Sequence, residues 1–518
     1  MENETTGIID IGSNTVRLTV FQQAENGAYR VVDQGRWPAR LSQKLDSDGR
    51  LVPEAVSELT EVLRHYARIS EKHGATRIRA VATAAIRQAS NGEDVVRKLK
   101  AETGIAVEIL SGEEEARIGS RAMLISLPFA DGFVVDIGGG STEISLVRDR
   151  VVRHAVSFPI GCVNASSRHG LNDGPVPQEK LAGVQAETRR LLSAAKWIAE
   201  HPDLPLIGLG GTVRALAKLR QRESGYPLSL LHGYQINEEE VSTVLRDLSA
   251  IGVQQRRKRP GLSKDRGDVI VPGLGILLGV MRQTRCSGLV VCGTGLRDGL
   301  FYETCRPYPE PQSSSDVLEE SIRNLNALYP AAPAEHLRQV RALALSLYDR
   351  LGAGSRATLV PRRLLDAAAR LFRVGAVIDY QDCPDHTFYM LMHTHWNGLS
   401  HRDMILTAAV ASYRNASSLR RKLAPYRSLL PGGVSESIAK LGSLLQLASA
   451  LDRSESQAIQ SLEIKIAGKK LRLHATASHP LPAERMEIES IAKEFKKNWG
   501  WTPELHVRID PPRSSSRL

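Results

Sequence analysis

The sequence predicts an α/β protein in which two copies of one domain face each other across a cleft, followed by a helical region and a small α+β cap. Three observations predict it. An apolar run ends in Asp136, passes Ile137 and three glycines, Gly138, Gly139 and Gly140, and continues through Ser141, Thr142 and Glu143 into a second apolar alternation. That is the pattern of strand, tight turn and strand. The same design stands near the start, where Ile8-Ile9-Asp10-Ile11-Gly12-Ser13-Asn14-Thr15 leads into Val16-Arg17-Leu18-Thr19-Val20. Two such units a domain apart are too few for a solenoid and indicate a duplicated domain, whose interface is a favoured place for ligands. Lastly, Pro307-Tyr308-Pro309-Glu310-Pro311-Gln312-Ser313-Ser314-Ser315 separates α/β alternation from helical periodicity.

Length and composition bound the answer. A chain of 518 residues holds roughly two to four domains of ordinary size. The apolar fraction of 42% and charged fraction of 24% are those of a soluble globular protein. A net charge of +11 fits a polyanionic partner, of which nucleic acid is only one kind. The five cysteines, Cys162, Cys286, Cys292, Cys305 and Cys383, are scattered and lack CxxC spacing. They predict a reducing cytoplasm and small core residues rather than a disulfide framework or a structural zinc. No basic segment followed by an apolar one opens the chain, so no secretory signal is expected. The most apolar run, 269–281, is short and interrupted by Pro272 and glycines, so no membrane span is expected either.

In chain order, the glycine turns come first as chemistry. Successive glycines let backbone N–H groups converge on an anion, and Asp136 with Glu143 suits a hard cation such as Mg²⁺. Val56, Leu59, Val62, Leu63, Tyr66 and Ile69 fall at helical spacing, and 78–82 reads as a strand. Ala82-Thr83-Ala84-Ala85-Ile86-Arg87 is a small-residue turn into a helix; taken alone, Arg87 reads more simply as a solvated arginine than as an anion ligand. Ser111-x-x-Glu114 fits a capping box. On that helix Ala116, Ile118, Gly119, Ala122, Met123 and Ile125 make one face with Glu115 near its middle, while Glu113, Arg117 and Ser120 fall opposite. An inward acid is costly unless compensated, so Glu115 is either a general base with a raised pKa or half of a buried Glu–Arg pair.

Residues 151–158 alternate as a strand, and 204–217 read as strand, glycine turn (Gly210, Gly211, Thr212) and helix, a third phosphate-compatible loop. No GxxxxGK[ST] occurs, so a Walker-type NTPase is unsupported. Arg256-Arg257-Lys258-Arg259 reads as an exposed basic loop in preference to a nucleic-acid contact. Residues 289–292 form a strand, and Gly293-Thr294-Gly295-Leu296-Arg297 turns into a helix. Beyond 316, Val340, Leu343, Leu345 and Leu347, then Leu364, Leu365, Ala368, Leu371 and Phe372, are helical. The tail reads as a hairpin about Gly468, a helix over 483–499 and a strand over 505–509. Its lysines and arginine (Lys465, Lys469, Lys470, Arg472, Lys493, Lys496, Lys497) suit a solvated surface somewhat better than a polyanion track.

Six motifs taken together, those at Asp10–Thr15, Ala82–Arg87, Ser111–Arg117, Asp136–Glu143, Ile207–Thr212 and Gly293–Arg297, occur in the order seen in the exopolyphosphatase/guanosine-pentaphosphate phosphatase (Ppx/GppA) family, which the chain resembles over about residues 5–305. The resemblance implies an α/β fold of duplicated actin-like (ribonuclease H-like, ASKHA) domains, then an all-α HD-like domain and a small α+β cap. The corresponding boundaries are 1–127, 128–306, a linker at 307–316, 317–460, 461–510 and a disordered tail at 511–518. No His-Asp dipeptide occurs, Asp385-His386 being the reverse, so His393, His395 and His401 are not expected to form a second metal site. His401-Arg402-Asp403 matches a kinase loop by letters only.

The resemblance further implies hydrolysis of a terminal phosphoanhydride of inorganic polyphosphate, with Glu115 activating water and Asp136 and Glu143 catalytic and holding Mg²⁺ or Mn²⁺. Gly12, Ser13, Asn14, Thr15, Gly138, Gly139, Gly140, Ser141, Gly210, Gly211 and Thr212 would bind phosphates, and Arg17, Arg87 and Arg297 would neutralise charge. No organic cofactor, membrane or specific nucleic acid is implied, and a homodimer follows by analogy only. The same chemistry on pppGpp is the close alternative; an ATP-dependent kinase, or a catalytically idle polyphosphate- or nucleotide-binding regulator, is more remote. Phosphoryl transfer itself needs positioning and charge stabilisation above all, which nests, arginines and a metal supply.

Overall fold

The computed structural model describes residues 4–171, 174–305, 311–352 and 359–510; the predicted tail and the first part of the predicted linker, 307–310, lie outside them. The chain forms two compact units, Met1–Glu320 and Ser321–Leu518.

In the first unit, β1 (Glu4–Ile11), β2 (Val16–Gln23), β3 (Tyr29–Trp37), β4 (Arg77–Ala82) and β5 (Val107–Ile109) form a sheet in the order β3-β2-β1-β4-β5. A second sheet holds β6 (Gly132–Ile137), β7 (Thr142–Arg148), β8 (Val151–Phe158), β9 (Leu206–Leu209), β10 (Gln235–Ile236) and β11 (Leu289–Val291), in the order β10-β11-β9-β6-β7-β8. Each begins as an antiparallel meander, β1-β2-β3 or β6-β7-β8, and extends by parallel pairing on the other side of its first strand. Parallel pairs need crossover connections, and the helices that make them cover the sheets. The first strand accordingly reads as a near-continuous apolar run, with Ile8, Ile9 and Ile11 fully buried. Helix Pro53–Lys72 buries Val56, Leu59, Val62, Leu63 and Tyr66 as its periodicity predicts, and the Tyr66 hydroxyl donates to Val16 O at 3.2 Å. These are duplicated actin-like domains.

Two helices cross between the halves. Helix Gly112–Leu124 lies within the predicted first domain but packs on β6, β7 and β8. Its Met123 joins Val134, Val147 and Leu209, while Ile118 joins Ile8, Phe21 and Val81 of the first sheet. With both sides covered, Ser120, expected on a polar face, is buried and donates to Ala116 O at 2.9 Å. Helix Leu296–Cys305, assigned to the second domain, returns to the first sheet, where Phe301 stacks on Phe21 with ring centroids 4.1 Å apart. Arg256 also departs from expectation: it is fully buried, because its Nε and Nη2 donate to the Leu248 and Gly174 carbonyls at 2.8 and 3.2 Å. The apolar run at 269–281 lies in the buried helix Ile270–Thr284. Among the described residues no helix is long and apolar enough to cross a membrane.

Ser314–Leu328 is helical although its first residues fall in the predicted linker. Asp316 N donates to Ser313 Oγ at 3.3 Å and Ser313 N to Asp316 Oδ2 at 2.8 Å, so the serine run caps a helix. The second unit is helical through Val434–Ala450, its core built on Val340, Leu364, Leu365, Leu406, Leu441 and Leu444. It closes on β12 (Ile459–Ala467), β13 (Lys470–Ala477) and β14 (Thr502–Ile509). A hairpin at Gly468 (φ 59°) joins the first two, and helix Pro482–Trp499 connects β13 to its parallel partner β14.

The return helix gives a stability test. Phe301 is 1% exposed, so Phe301→Ala should cost about 3–5 kcal/mol in urea unfolding of the first unit. A loss below about 1 kcal/mol, the scale of a single methylene, would show that this helix does not carry the first sheet's core.

Candidate active site

The two turns have one geometry. Gly12 N donates to Thr15 O at 3.1 Å, and Gly138 N donates to Ser141 O at 2.9 Å. Strand register sets Asp10 opposite Arg17 in one copy and Asp136 opposite Glu143 in the other. In both, neighbouring segments take the outward carbonyls. Arg40 N donates to Asn14 O at 3.0 Å and Ser42 N to Ser13 O at 3.2 Å. Cys162 N donates to Gly138 O and Val163 N to Gly139 O, each at 2.9 Å, while Asn164 Nδ2 donates to Gly140 O at 2.7 Å. Among the described residues, the N–H groups of Ser13, Asn14, Gly139 and Gly140 donate to no backbone carbonyl. The turns face each other closely: a Cβ on Gly139 would lie 3.0 Å from Ser13 Cβ, and one on Gly140 2.9 Å from Ser13 Oγ. Gly161 is required beneath them, since its Cβ would come within 2.5 Å of Gly139 C and O.

The charges around the turns are segregated. Asp10 and Asp136 are partly buried, and desolvation pushes both carboxyls above their ordinary range against the pull of Arg17, which both share, of Arg297 on Asp10, and of Arg214 and Arg266 on Asp136. Arg17 is brought down to about 9 by burial and by repulsion from Arg297, Arg214 and Arg266; Arg214 is lowered for the same reasons. Partly buried cations that repel one another are relieved by an anion among them. Arg297 is anchored on Leu18 O and Thr19 Oγ1, and Arg214 on Gly293 O at 3.0 Å. Gly210 (φ 75°) starts helix Gly210–Glu223, and a side chain there would overlap the Asp136 carboxylate; one at Gly211 would overlap the Arg266 guanidinium.

Glu115 stands at the other pole. Its Oε2 accepts from Arg87 Nη1 at 2.9 Å, and the same nitrogen donates to Leu110 O at 2.9 Å. Arg87 Nη2 lies 3.9 Å from Glu143 Oε1, which accepts from Ser157 Oγ at 2.7 Å. Burial, then the neighbouring Glu143, hold the Glu115 carboxyl well above its usual range, with Arg87 opposing. Glu143 is pushed up to about 7 by burial and by Asp136, against hydrogen bonds from Ser157 and Ser141. Glu115 is therefore an inward acid of raised pKa that is also paired with arginine. Arg87 is not the solvated arginine of the simpler reading; its side chain is 20% exposed. The predicted capping box forms, Glu114 N to Ser111 Oγ at 3.2 Å and Ser111 N to Glu114 Oε2 at 2.8 Å.

Most predicted residues thus converge. Thr212 is buried with its hydroxyl donating to Ile137 O at 3.4 Å, and Thr15 Oγ1 accepts from Arg17 Nε at 3.3 Å. Arg214 and Arg266 were missed. Arg214 had a signal, one helical turn after Gly210; Arg266, in Ser263-Lys264-Asp265-Arg266-Gly267-Asp268, had none. Among the described residues no group of three or more His, Cys, Asp or Glu is arranged as a metal cage. Asp136 and Glu143, adjacent in register and mutually repelling, nonetheless fit Mg²⁺, which needs one or two carboxylates and fills its shell with water and phosphate oxygen.

Glu143 gives a pH test. Its folded pKa, about 7, exceeds the ordinary 4.5. The folded state therefore binds the proton more tightly, and stability falls as pH rises through that window. In metal-free buffer, the urea midpoint should fall between about pH 5 and pH 8 more steeply in the parent than in Glu143→Gln. Equal slopes would contradict the burial of an unneutralised Glu143.

Comparison with known proteins shows the family. The Ppx/GppA phosphatase family model matches residues 19–306, and that family's domain III model matches residues 317–492. The chain is similar to the Aquifex aeolicus member of that family at 30% identity, covering 58% of this chain and 98% of that one, with a TM-score of 0.51. An exopolyphosphatase from Cytophaga hutchinsonii shares the fold at 22% identity, with coverage of 59% and 99% and a TM-score of 0.55. The turn at Gly138–Ser141, Glu115, Arg87, Arg214, Arg266 and Arg297 lie within the span of that match, the turn at Gly12–Thr15 and Arg17 just before it, and the chain belongs to the Ppx/GppA phosphatase family.

Proposed function

We propose that the protein is an exopolyphosphatase that hydrolyses the terminal phosphoanhydride of inorganic polyphosphate and releases orthophosphate. The observation that carries this reading is the pairing of four N–H groups that donate to no backbone carbonyl among the described residues, on Ser13, Asn14, Gly139 and Gly140, with mutually repelling arginines and with Glu115 held by Arg87. The N–H groups hold the terminal phosphate; Arg17, Arg214, Arg266 and Arg297 offset the charge of the chain end and of the leaving phosphate. Glu115 accepts a proton from water as the water oxygen bonds to phosphorus and the bridging P–O bond breaks. The electron pair leaves with the shortened chain. Arg87 fixes the Glu115 carboxylate, and the raised pKa makes it a more competent base near neutrality. Asp136 and Glu143 would hold Mg²⁺, which, when bound, supplies further charge neutralisation at the phosphate oxygens.

Orthophosphate release with Mg²⁺ from polyphosphate, pppGpp and ATP side by side tests the substrate. A kcat/KM on polyphosphate above that on pppGpp is expected; the reverse order assigns the protein to pppGpp, and no release from any of them overturns hydrolysis. Glu115→Gln should lower kcat about 10²–10⁴-fold with KM little changed, the scale of a lost general base. An unaltered kcat would remove Glu115 from that role.

A further inference from the structure

The segment that carries Arg266 bridges the two halves of the first unit. Asp265 pairs with Arg36 of β3, and Asp268 Oδ2 accepts from Arg40 Nη1 at 2.9 Å. Arg266, between them, runs the other way, its guanidinium packed on Gly211 and in electrostatic reach of Asp136 and Arg17. Arg40 is also the residue whose N–H holds the Asn14 carbonyl, and it does so in a left-handed conformation, φ 49°. On its other side, Asp268 O accepts from Ser166 Oγ at 3.5 Å, in helix Cys162–Arg168, whose start holds the Gly138 and Gly139 carbonyls. Asp268 thus touches the carriers of both turns.

The two ion pairs are unequal. Arg36 and Asp265 are 42% and 27% exposed, and a pair in water contributes only about 0–1 kcal/mol. Arg40 and Asp268 are 31% and 13% exposed, and Asp268 Oδ1 is buried without a protein partner, so removing Arg40 would leave an uncompensated acid. The segment is also seated from below: a Cβ on Gly267 would lie 2.7 Å from Arg257 Cγ and 3.3 Å from Val253 O. Arg266 N donates to Ser263 O at 2.9 Å and Val269 N to Arg266 O at 3.1 Å, which fixes the turn.

We propose that Asp268, with Asp265 in support, is a positioning residue: its ion pair with Arg40 latches the two halves across the cleft and holds Arg266 at the phosphate site. The phosphate part rests on the function proposed above; the latch does not. Asp268→Arg and Arg40→Asp alone should each raise KM for polyphosphate about ten-fold, with kcat within about three-fold of the parent, the scale of coupling between paired residues. The double variant, which reverses the pair, should recover most of that loss. A double variant no better than the poorer single would overturn the latch.

Arg36→Gln, on the exposed pair, keeps the test open should the buried-site singles not fold; it should raise KM by about two-fold, and a rise of about ten-fold or more would overturn the ranking. Hydrogen exchange without substrate separates the latch from the function. Asp268→Asn should speed exchange at the Arg266 and Val269 amides and at Gly12. If polyphosphate is not a substrate, this exchange alone decides the latch, and unchanged protection overturns it.

Discussion

Everything at this site depends on where the turn carbonyls go. A two-residue turn presents donors and acceptors alike, and carbonyl oxygens facing an anion would repel it. Here the start of helix Cys162–Arg168 takes the carbonyls of one turn, and Arg40 with Ser42 takes those of the other. With the acceptors consumed on the outside, N–H groups are what the turns present to the inside. Gly161 is part of the same constraint, because only a residue without a side chain lets the helix approach Gly139 so closely. The helix start gains too, since its first N–H groups would otherwise lack partners.

Duplication supplies the frame, and divergence within it supplies the chemistry. The position opposite the strand-ending aspartate is Arg17 in one copy and Glu143 in the other. One half therefore contributes a partly buried cation and the other a buried acid, at equivalent places in equivalent sheets. Around that difference the cleft acquires a cationic pole of Arg17, Arg214, Arg266 and Arg297, and an acidic pole of Glu115 and Glu143 bridged by Arg87. The crossing helices couple the poles: helix Gly112–Leu124, which carries Glu115, is packed against both sheets. Its position is consequently sensitive to how the halves are joined.

Features that depend on neighbours along the chain were legible in the sequence. The two turns, the capping box and the inward face carrying Glu115 follow from local periodicity and capping chemistry. Features that depend on a distant partner were not. Arg87 reads as a surface residue until Glu115 and Glu143 are set beside it, and Ser120 reads as polar-faced until a second sheet covers it. Arg256 sits in a basic run that suggests solvent, yet two backbone carbonyls draw it inside. Arg266 has no spacing signal, because its place is set by Gly211 and by ion pairs to the other half. The return of helix Leu296–Cys305 to the first sheet is likewise a matter of packing, through Phe301 on Phe21, that no periodicity announces.

The central claim is that the two turns together form the seat of a terminal phosphate. It is tested most directly by a crystal structure of the Glu115→Gln protein with Mg²⁺ and tripolyphosphate. The terminal phosphate should lie within hydrogen-bond reach of the N–H groups of Ser13, Asn14, Gly139 and Gly140, with Arg17 and Arg266 on its oxygens. A phosphate chain bound elsewhere, with those N–H groups untouched, would contradict it.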